Sequence, residues 1–279
     1  MPDESSTARP GGGAGVIRPN PRRQSLSVAM VACNEEANLA RTLASVRELA
    51  DEINLIDSGS CDGTLAIARS FGPKVRIFEE PWKGFARQKN SAIDKATGAW
   101  VLLLDADEAV TPELAAEIRT LLAGEPEYQA YWIPRLNLIF GRWMRHGGFY
   151  PDRKLRLFRK GAARLPEDLE VHETPATTAA TGRLKHDLLH YQYPTLALYI
   201  EHMDRYSTAS VPGLLRAGRT SRGLAAFVVN TVVNPAATFV KNYIFRLGFL
   251  DGREGLLLHL YHSAYVSWKY AKAWEKSRG

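Results

Sequence analysis

Two carboxylates, Asp105 and Asp107, stand one residue apart directly after the apolar run Trp100 to Leu104. Mg²⁺ and Mn²⁺ take oxygen ligands from one or two carboxylates together with phosphate oxygens. A cation held that way neutralises charge developing on a departing diphosphate. An alternating pair can divide the work: Asp107 reaches the metal, while Asp105 contacts a ribose or orders a water. Asp-x-Asp also occurs in solvated loops. Its position at the end of an apolar strand favours a site, because ligands of open α/β sheets collect at the strands' carboxyl ends. Glu108, next in line, is either a supporting carboxylate or the start of the surface.

Other groups fall at comparable places. Asn34 and Glu35 follow Leu26 to Ala32, and Asp57 and Asp62 flank the polar turn after Glu52 to Ile56. Asp57 can accept a hydrogen bond from a base imide or a ribose hydroxyl, and Arg87 offers the planar donors a diphosphate needs. The plainer alternatives are turn formers at Asp57 and Asp62, and solvent-facing helix charges at Arg87 or Lys89. Glu173, or second Asp168, can take the proton of an incoming hydroxyl as a general base; an exposed loop carboxylate or a lid anchor is the alternative. His172-Glu173 lacks the second histidine of a zinc protease motif. His190 either completes a metal shell or is an ordinary buried hydrogen-bonding residue. His146-Gly147-Gly148-Phe149-Tyr150, with Asp152 close behind, has the flexibility and aromatic content of a loop facing an acceptor sugar, or its two glycines simply permit a turn.

The elements that must hold these groups alternate. Strands are expected at Leu26 to Ala32, Glu52 to Ile56, Val75 to Phe78 and Trp100 to Leu104. Helices are expected from the apolar spacing of Leu39, Leu43, Val46 and Leu49, over Thr64 to Phe71 and over Phe85 to Ala96. Thr111-Pro112-Glu113 opens another helix, with Thr111 as its cap and Pro112 at its first position. Tyr131 to Pro134 and Lys154 to Phe158 read as strands flanking a longer excursion. This is an α/β sheet with near-continuous apolar central strands. Residues 1–24, rich in Pro, Gly, Ser and Arg, read as a flexible leader; 25–194 form the catalytic domain and 195–279 a helical extension.

The 279 residues, 45% hydrophobic, allow a substantial core, and the formal charge of +6 suits nucleic acid, an anionic membrane or a phosphorylated substrate alike. No nucleic-acid-reading motif organises that charge, so nucleic acid is not expected as a partner. Cys33 and Cys61 have neither metal-ligand spacing nor the number of a stapled fold. With no export signal and no run of 18 uninterrupted apolar residues, the expectation is a cytoplasmic protein that does not span a bilayer in the ordinary way. Leu224 to Phe249 and Leu256 to Trp274 are amphipathic, and residues 222–279 carry eight Lys or Arg against three acidic residues. Such helices either lie on an anionic membrane surface, or pack on the sheet or form a homo-oligomer. Asn234-Pro235 argues against a continuous straight transmembrane helix there.

The chain resembles family-2 glycosyltransferases with the GT-A fold. Val28 to Glu36 is similar to that family's opening strand and turn, Ile56 to Thr64 to its nucleotide-binding turn, and Leu104-Asp105-Ala106-Asp107-Glu108 to its metal motif. More narrowly it resembles bacterial lipopolysaccharide core β-glucosyltransferases, through Arg145 to Asp152, Arg156-Leu157-Phe158, Val171-His172-Glu173, His190-Tyr191 and Gly248 to Arg253. The resemblance implies nucleotide recognition at Asp57, diphosphate contact at Arg87, metal ligation at Asp107 and a base at Glu173. It also implies inverting, metal-dependent transfer from a UDP-sugar, preferably UDP-glucose, to the heptose of a lipid-linked core saccharide. Ser58 departs from the two consecutive acidic residues that many relatives carry in the nucleotide turn. Transfer to polyprenyl phosphate or another envelope glycan is the enzymatic alternative, and a noncatalytic sugar-nucleotide-binding scaffold the alternative of another class.

Overall fold

A computed structural model describes residues 23–167 and 174–278. Four parallel strands form its first half: β1 (Leu26–Ala32), β2 (Glu52–Asp57), β3 (Val75–Glu79) and β4 (Trp100–Asp105), ordered β3-β2-β1-β4. The sheet continues through β8 (Asp152–Arg159), β6 (Ala130–Ile139) and β10 (Leu188–Tyr193) to the short β5 (Glu108–Val110). Two further strands, β7 (Arg142–Met144) and β9 (Thr181–Arg183), pair with β6. β4 and β8 are antiparallel, as are β6 and β8 and β10 and β5.

Strand alternation sends the apolar run of β4 to both faces, which is why it reads as unbroken. Trp100, Leu102 and Leu104 pack in a core with Leu39 and Leu43 of α1 (Leu39–Val46) and Leu114 and Ile118 of α4 (Pro112–Ala123). Val101 and Leu103 pack on the other face with Ala92 and Ile93 of α3 (Phe85–Asp94). α2 (Thr64–Ser70) covers the β2–β3 crossover. At the start of α4, Thr111 Oγ1 accepts the Leu114 amide at 3.1 Å and Pro112 takes the first turn, as the sequence predicts. α1 ends at Val46, so Leu49 is buried beyond the helix, not as its last turn.

Beyond β10 the chain is helical: α5 (Leu196–Ala209), α6 (Val211–Arg216), a 22-residue helix Leu224–Phe245, a 3₁₀ turn Gly248–Asp251 and a C-terminal helix Gly252–Lys276. Tyr199, Met203 and Leu258 from this part pack on Ile139, Met144 and Tyr193 at the sheet's end. Asn234-Pro235 does not end the apolar segment. Helix Leu224–Phe245 runs through it, with wider π turns at Val229–Val233 and Val240–Phe245. The Asn234 amide reaches back five residues to the Val229 carbonyl. The Thr231 carbonyl, four residues before Pro235, gets no amide hydrogen from the proline and instead accepts Ser267 Oγ of the C-terminal helix at 2.7 Å. The helix is therefore long and apolar enough to cross a membrane, with a mean hydropathy of 1.3 and 6% of that window buried.

Asn90 of α3 ties the helix to the chain after β8. Its amide donates to the Leu165 carbonyl at 2.9 Å and its oxygen accepts the Leu165 amide at 3.0 Å, with Asn90 1% exposed. Asn90→Ala leaves both backbone groups of a buried residue unpartnered and is expected to cost about 2 kcal/mol. Urea unfolding should show a lower midpoint at unchanged slope; an unchanged midpoint would contradict the assignment.

Candidate active site

The carboxyl ends of β1, β2 and β4 lie side by side, because Ala32 pairs with Asp57 and Val31 with Asp105. The loops leaving these ends are stitched together. The Asn34 amide donates to Ser60 Oγ at 3.0 Å, its Oδ1 accepts the Cys61 amide at 2.9 Å, and the Glu35 amide donates to Thr64 Oγ1 at 2.7 Å. Asn34 adopts a positive φ of 57°, a conformation that asparagine tolerates better than most residues, and its amide oxygen is held by Cys61. Asp57 is 1% exposed, and its carboxylate accepts the amides of Gly59 and Ser60 at 3.0 Å and the Ser60 hydroxyl. It thus builds its own turn, the plainer of the two roles predicted for it.

Asp105 and Asp107 diverge. The Asp105 carboxylate lies between Lys89 Nζ, at 2.7 Å, and the Arg156 guanidinium. Burial pushes its pKa up, yet the charges of Arg156 and Lys89 dominate and hold it well below the usual carboxylate range. Lys89 is 4% exposed, so it is not the solvent-facing helix charge considered from sequence. Glu108 is fully buried. Its Oε2 accepts the Asp105 amide at 3.0 Å, and its Oε1 meets Arg156 at 2.7 Å and Arg135 at 3.0 Å. Arg135 also binds Asp152 at 2.6 Å, and Lys154 lies 3.2 Å from the same carboxylate. Burial raises the Asp152 pKa less than Arg135 and Lys154 lower it.

Asp107 instead faces His190. The pairing of β10 with β5 sets His190 opposite Glu108, and the Tyr191 amide donates to the Asp107 carbonyl at 2.9 Å. His190 Nε2 then stands 3.2 Å from Asp107 Oδ2, while its Nδ1 faces Asn137 Oδ1 at 2.7 Å. With Nδ1 donating to Asn137, Nε2 is turned toward the carboxylate, the arrangement of a metal-binding histidine oriented by an amide behind it. Two donor atoms about 2.1 Å from one ion, at right angles, stand about 3.0 Å apart. The Asp107–His190 spacing is one at which both groups would be able to hold the same divalent ion. Among the described residues no third His, Cys, Asp or Glu completes the group. The Glu35 pKa is raised by burial and by the charges of Asp107, Asp105 and Asp62, against a hydrogen bond from Asn38.

The other predicted residues that the structure describes have partners of their own. Arg87 is exposed on α3, 3.4 Å from Glu167. His146 Nδ1 lies 2.8 Å from Asp251 Oδ1, and the Tyr150 hydroxyl donates to Asp187 at 2.8 Å. Burial and that hydrogen bond push the Tyr150 pKa up. Asp168 and Glu173, the candidate bases, lie outside the described residues. Sequence reasoning passed over Arg156 and Asn137 as working parts. Arg156 was legible as a lone charge between buried Leu155 and Leu157. It also missed Arg41, whose guanidinium covers the Tyr191 ring at 3.5 Å. Pockets of about 310 and 830 Å³ lie around Tyr128 between α4 and β6, and no residue of this centre lines either.

The model of glycosyl transferase family 2 matches residues 27–203, which span β1 through most of α5. The chain belongs to this family. Over 256 residues it is 28% identical to the lipopolysaccharide core biosynthesis glycosyltransferase LpsC of Rhizobium meliloti (strain 1021), covering 90% of this chain and 92% of that one. It is 28% identical over 247 residues to an uncharacterized glycosyltransferase of Rickettsia felis, covering 84% of each. Among solved structures, a mannosyltransferase from Pyrobaculum calidifontis, in complex with GDP-Man and Mn²⁺, superposes with a TM-score of 0.54 at 17% identity over 94% of this chain and 90% of that one. The fold is therefore the α/β GT-A type with a helical C-terminal region, and the chain is a glycosyltransferase.

Asp105→Asn leaves Lys89 and Arg156 without their shared charge and is expected to cost about 3–5 kcal/mol at pH 7. An aspartate depressed in the folded state stabilises above its unfolded pKa, about 3.9, and that contribution fades as pH falls through its folded pKa. The difference between wild type and variant should therefore be full near neutrality and narrow below about pH 4. Denaturant unfolding at pH 7 and pH 3 checks this; a gap that widens on acidification would contradict it.

Proposed function

We propose that this glycosyltransferase moves a sugar, preferably glucose, from a UDP-sugar to a heptose of a lipid-linked lipopolysaccharide core saccharide, with inversion. The observation that carries the site is the meeting of Asp107 and His190, 83 residues apart in sequence, at 3.2 Å. Asp107, His190 and the donor's own phosphate oxygens would hold Mg²⁺ or Mn²⁺, which supplies neutralisation of the charge developing on the diphosphate. Similarity to LpsC supports the acceptor class, and the GDP-Man and Mn²⁺ in complex with the Pyrobaculum mannosyltransferase are in keeping with a sugar-nucleotide donor.

In the proposed reaction an acceptor hydroxyl attacks the anomeric carbon as the bond to the UDP oxygen breaks. The bonding pair leaves with UDP and the hydroxyl proton passes to Glu173, with Asp168 as the second choice. Glu173 belongs to the segment that starts after Glu167, whose carboxylate is tied to Asn90 at 3.1 Å, Arg87 at 3.4 Å and Arg164 at 3.5 Å. Asp105 orders the Asp107 turn through Lys89, Arg156 and Glu108 more than it reaches for ribose. His146 and Tyr150 face the acceptor.

The helical region is proposed to seat the enzyme on the cytoplasmic face of an anionic membrane. Leu224, Val232 and Phe245 are 80%, 59% and 77% exposed, and basic residues outnumber acidic ones in this part of the chain. Apolar side chains at that exposure flanked by Lys and Arg suit the boundary of an anionic bilayer.

A screen of UDP-sugars against heptose-terminated core acceptors, with product mass and linkage analysis, tests the reaction; a polyprenyl phosphate product would replace the heptose reading. Asp107→Ala is expected to lower kcat at least about 100-fold, and Glu173→Gln to slow transfer comparably while donor binding persists. Wild-type rates in both variants at saturating substrates would refute the assigned roles. Asn137→Leu should raise the Mn²⁺ concentration for half-maximal activity about tenfold or more. For the membrane, flotation with anionic vesicles should carry the full chain and release it on alkaline carbonate washing. Flotation on neutral and anionic vesicles alike, resistant to that wash, would point to a spanning helix instead.

A further inference from the structure

The loop read as facing the acceptor is not free-standing, for its backbone is bound to the helical region. Asp251 ends the Gly248–Asp251 turn and is 3% exposed. Its carboxylate accepts the Arg145 amide at 3.1 Å and the His146 amide at 2.8 Å, and it meets His146 Nδ1 at 2.8 Å. All three partners lie more than one hundred residues earlier in the chain. A carboxylate buried with every bond directed at one loop gives that loop a single register, since shifting it would strand the charge.

The steric fit reinforces the hydrogen bonds. The Gly147 amide donates to the Arg246 carbonyl at 2.8 Å. A Cβ on Gly147 would stand 2.0 Å from His259 Nε2, and one on Gly248 2.3 Å from the same atom. Gly147 also has a φ of 69°, which a side chain would strain. His259 is 1% exposed, packs edge-on to Phe149 with ring centroids 5.5 Å apart, and its ring nitrogens have no hydrogen-bond partner among the described residues. It serves as a wedge between the two glycines. The same turn that directs Asp251 inward turns Phe249 and Leu250 outward, 43% and 48% exposed.

We propose that Asp251 is a positioning residue that latches the acceptor loop to the lipid-facing turn, so that use of a membrane-borne acceptor depends on it while donor handling does not. This rests on the reading of residues 146–150 as acceptor-facing and of the helical region as membrane-seated. The physical link is short: bilayer contact fixes Phe249 and Leu250, the turn fixes Asp251, and Asp251 fixes the amides of Arg145 and His146. Toward the donor side, Asn137 Nδ2 reaches the Phe149 carbonyl at a long 3.4 Å, a weak tie compared with the Asp251 bonds.

The test uses the full chain, UDP-glucose with Mn²⁺, and vesicles containing lipopolysaccharide truncated after its inner-core heptoses. Asp251→Ala is expected to raise the acceptor KM about tenfold or more, since small misplacements of positioning groups cost that much or more, with UDP binding by calorimetry and the donor KM within about twofold of wild type. Gly147→Ala should behave likewise, and His259→Ala in that background should recover part of the acceptor KM by opening the clash. This pair carries the same comparison if Asp251→Ala fails to fold. Loss of UDP binding in parallel with acceptor use would overturn the proposal, as would unchanged acceptor kinetics in the Asp251 or Gly147 variants. Tyr150→Ala separates the two levels. A wild-type acceptor KM there removes the acceptor reading of the loop and the latch with it, whereas an impaired Tyr150→Ala beside an unaffected Asp251→Ala removes the latch alone.

Discussion

At the end of β4 the Asp105 carboxylate lies between an ammonium and a guanidinium that are themselves almost wholly buried. Charges taken from water cost several kcal/mol each unless they are paired and hydrogen-bonded, so Lys89, Arg156, Asp105 and Glu108 constrain one another. They come from α3, β8, β4 and β5. The network therefore fixes the relative placement of four elements at the point where the apolar strand gives way to polar chain. Glu108 also takes the Asp105 amide, closing the turn in between. With Asp105 and Glu108 held inward, Asp107 is the carboxylate of the motif left facing His190.

Topology supplies what the motif cannot. Had the chain after Val110 simply continued as helices and parallel strands, Asp107 would face an open edge. Instead β10 returns beside β6 and pairs antiparallel with β5, which sets His190 against Asp107 and Tyr191 against its carbonyl. Asn137 on β6 then holds the imidazole from behind, because His190 and Asn137 are register partners on adjacent strands. The histidine's orientation is thus a property of strand pairing, more rigid than a loop would be.

Much of this was legible in the sequence, and the division has physical reasons. β1, β2, β3 and β4 announce themselves because strands covered on both faces are apolar throughout, and the Thr111-Pro112 start of α4 because capping is local chemistry. The partners of Asp105 were not legible. Lys89 sits on a helix whose period also admits a solvated lysine, and only the tertiary fold shows which face α3 turns inward. Asp57 read equally as ligand or turn former, since one carboxylate chemistry serves both. The course of helix Leu224–Phe245 through its proline was not legible, because the cost of a missing amide is local while its remedy, Ser267 Oγ on the Thr231 carbonyl, comes from 36 residues away. Asp251 stood within the resemblance at Gly248 to Arg253, but its partners in Arg145 and His146, over one hundred residues away, were not legible.

The charge distribution around the cleft bears on how a donor can enter. Asp105 is matched by Lys89 and Arg156, and Asp152 by Arg135 and Lys154, so those carboxylates present little net field. Asp107 has no Lys or Arg within bridging distance among the described residues; its close neighbour is His190, and Glu35, whose pKa is raised first by burial, is near enough for Asp107 and Asp105 to raise it further. A bare diphosphate approaching this corner meets like charge in a partly desolvated setting, where repulsion is strong. The same corner attracts a cation, and a nucleotide diphosphate already carrying a divalent ion would arrive with its own two charges neutralised. If the proposed metal and UDP-sugar bind here, the neutralisation that would stabilise the leaving diphosphate would also help admit the donor. Protein cations have been drawn inward to hold Asp105 in place, which leaves the charge balance at Asp107 to whatever arrives with the nucleotide.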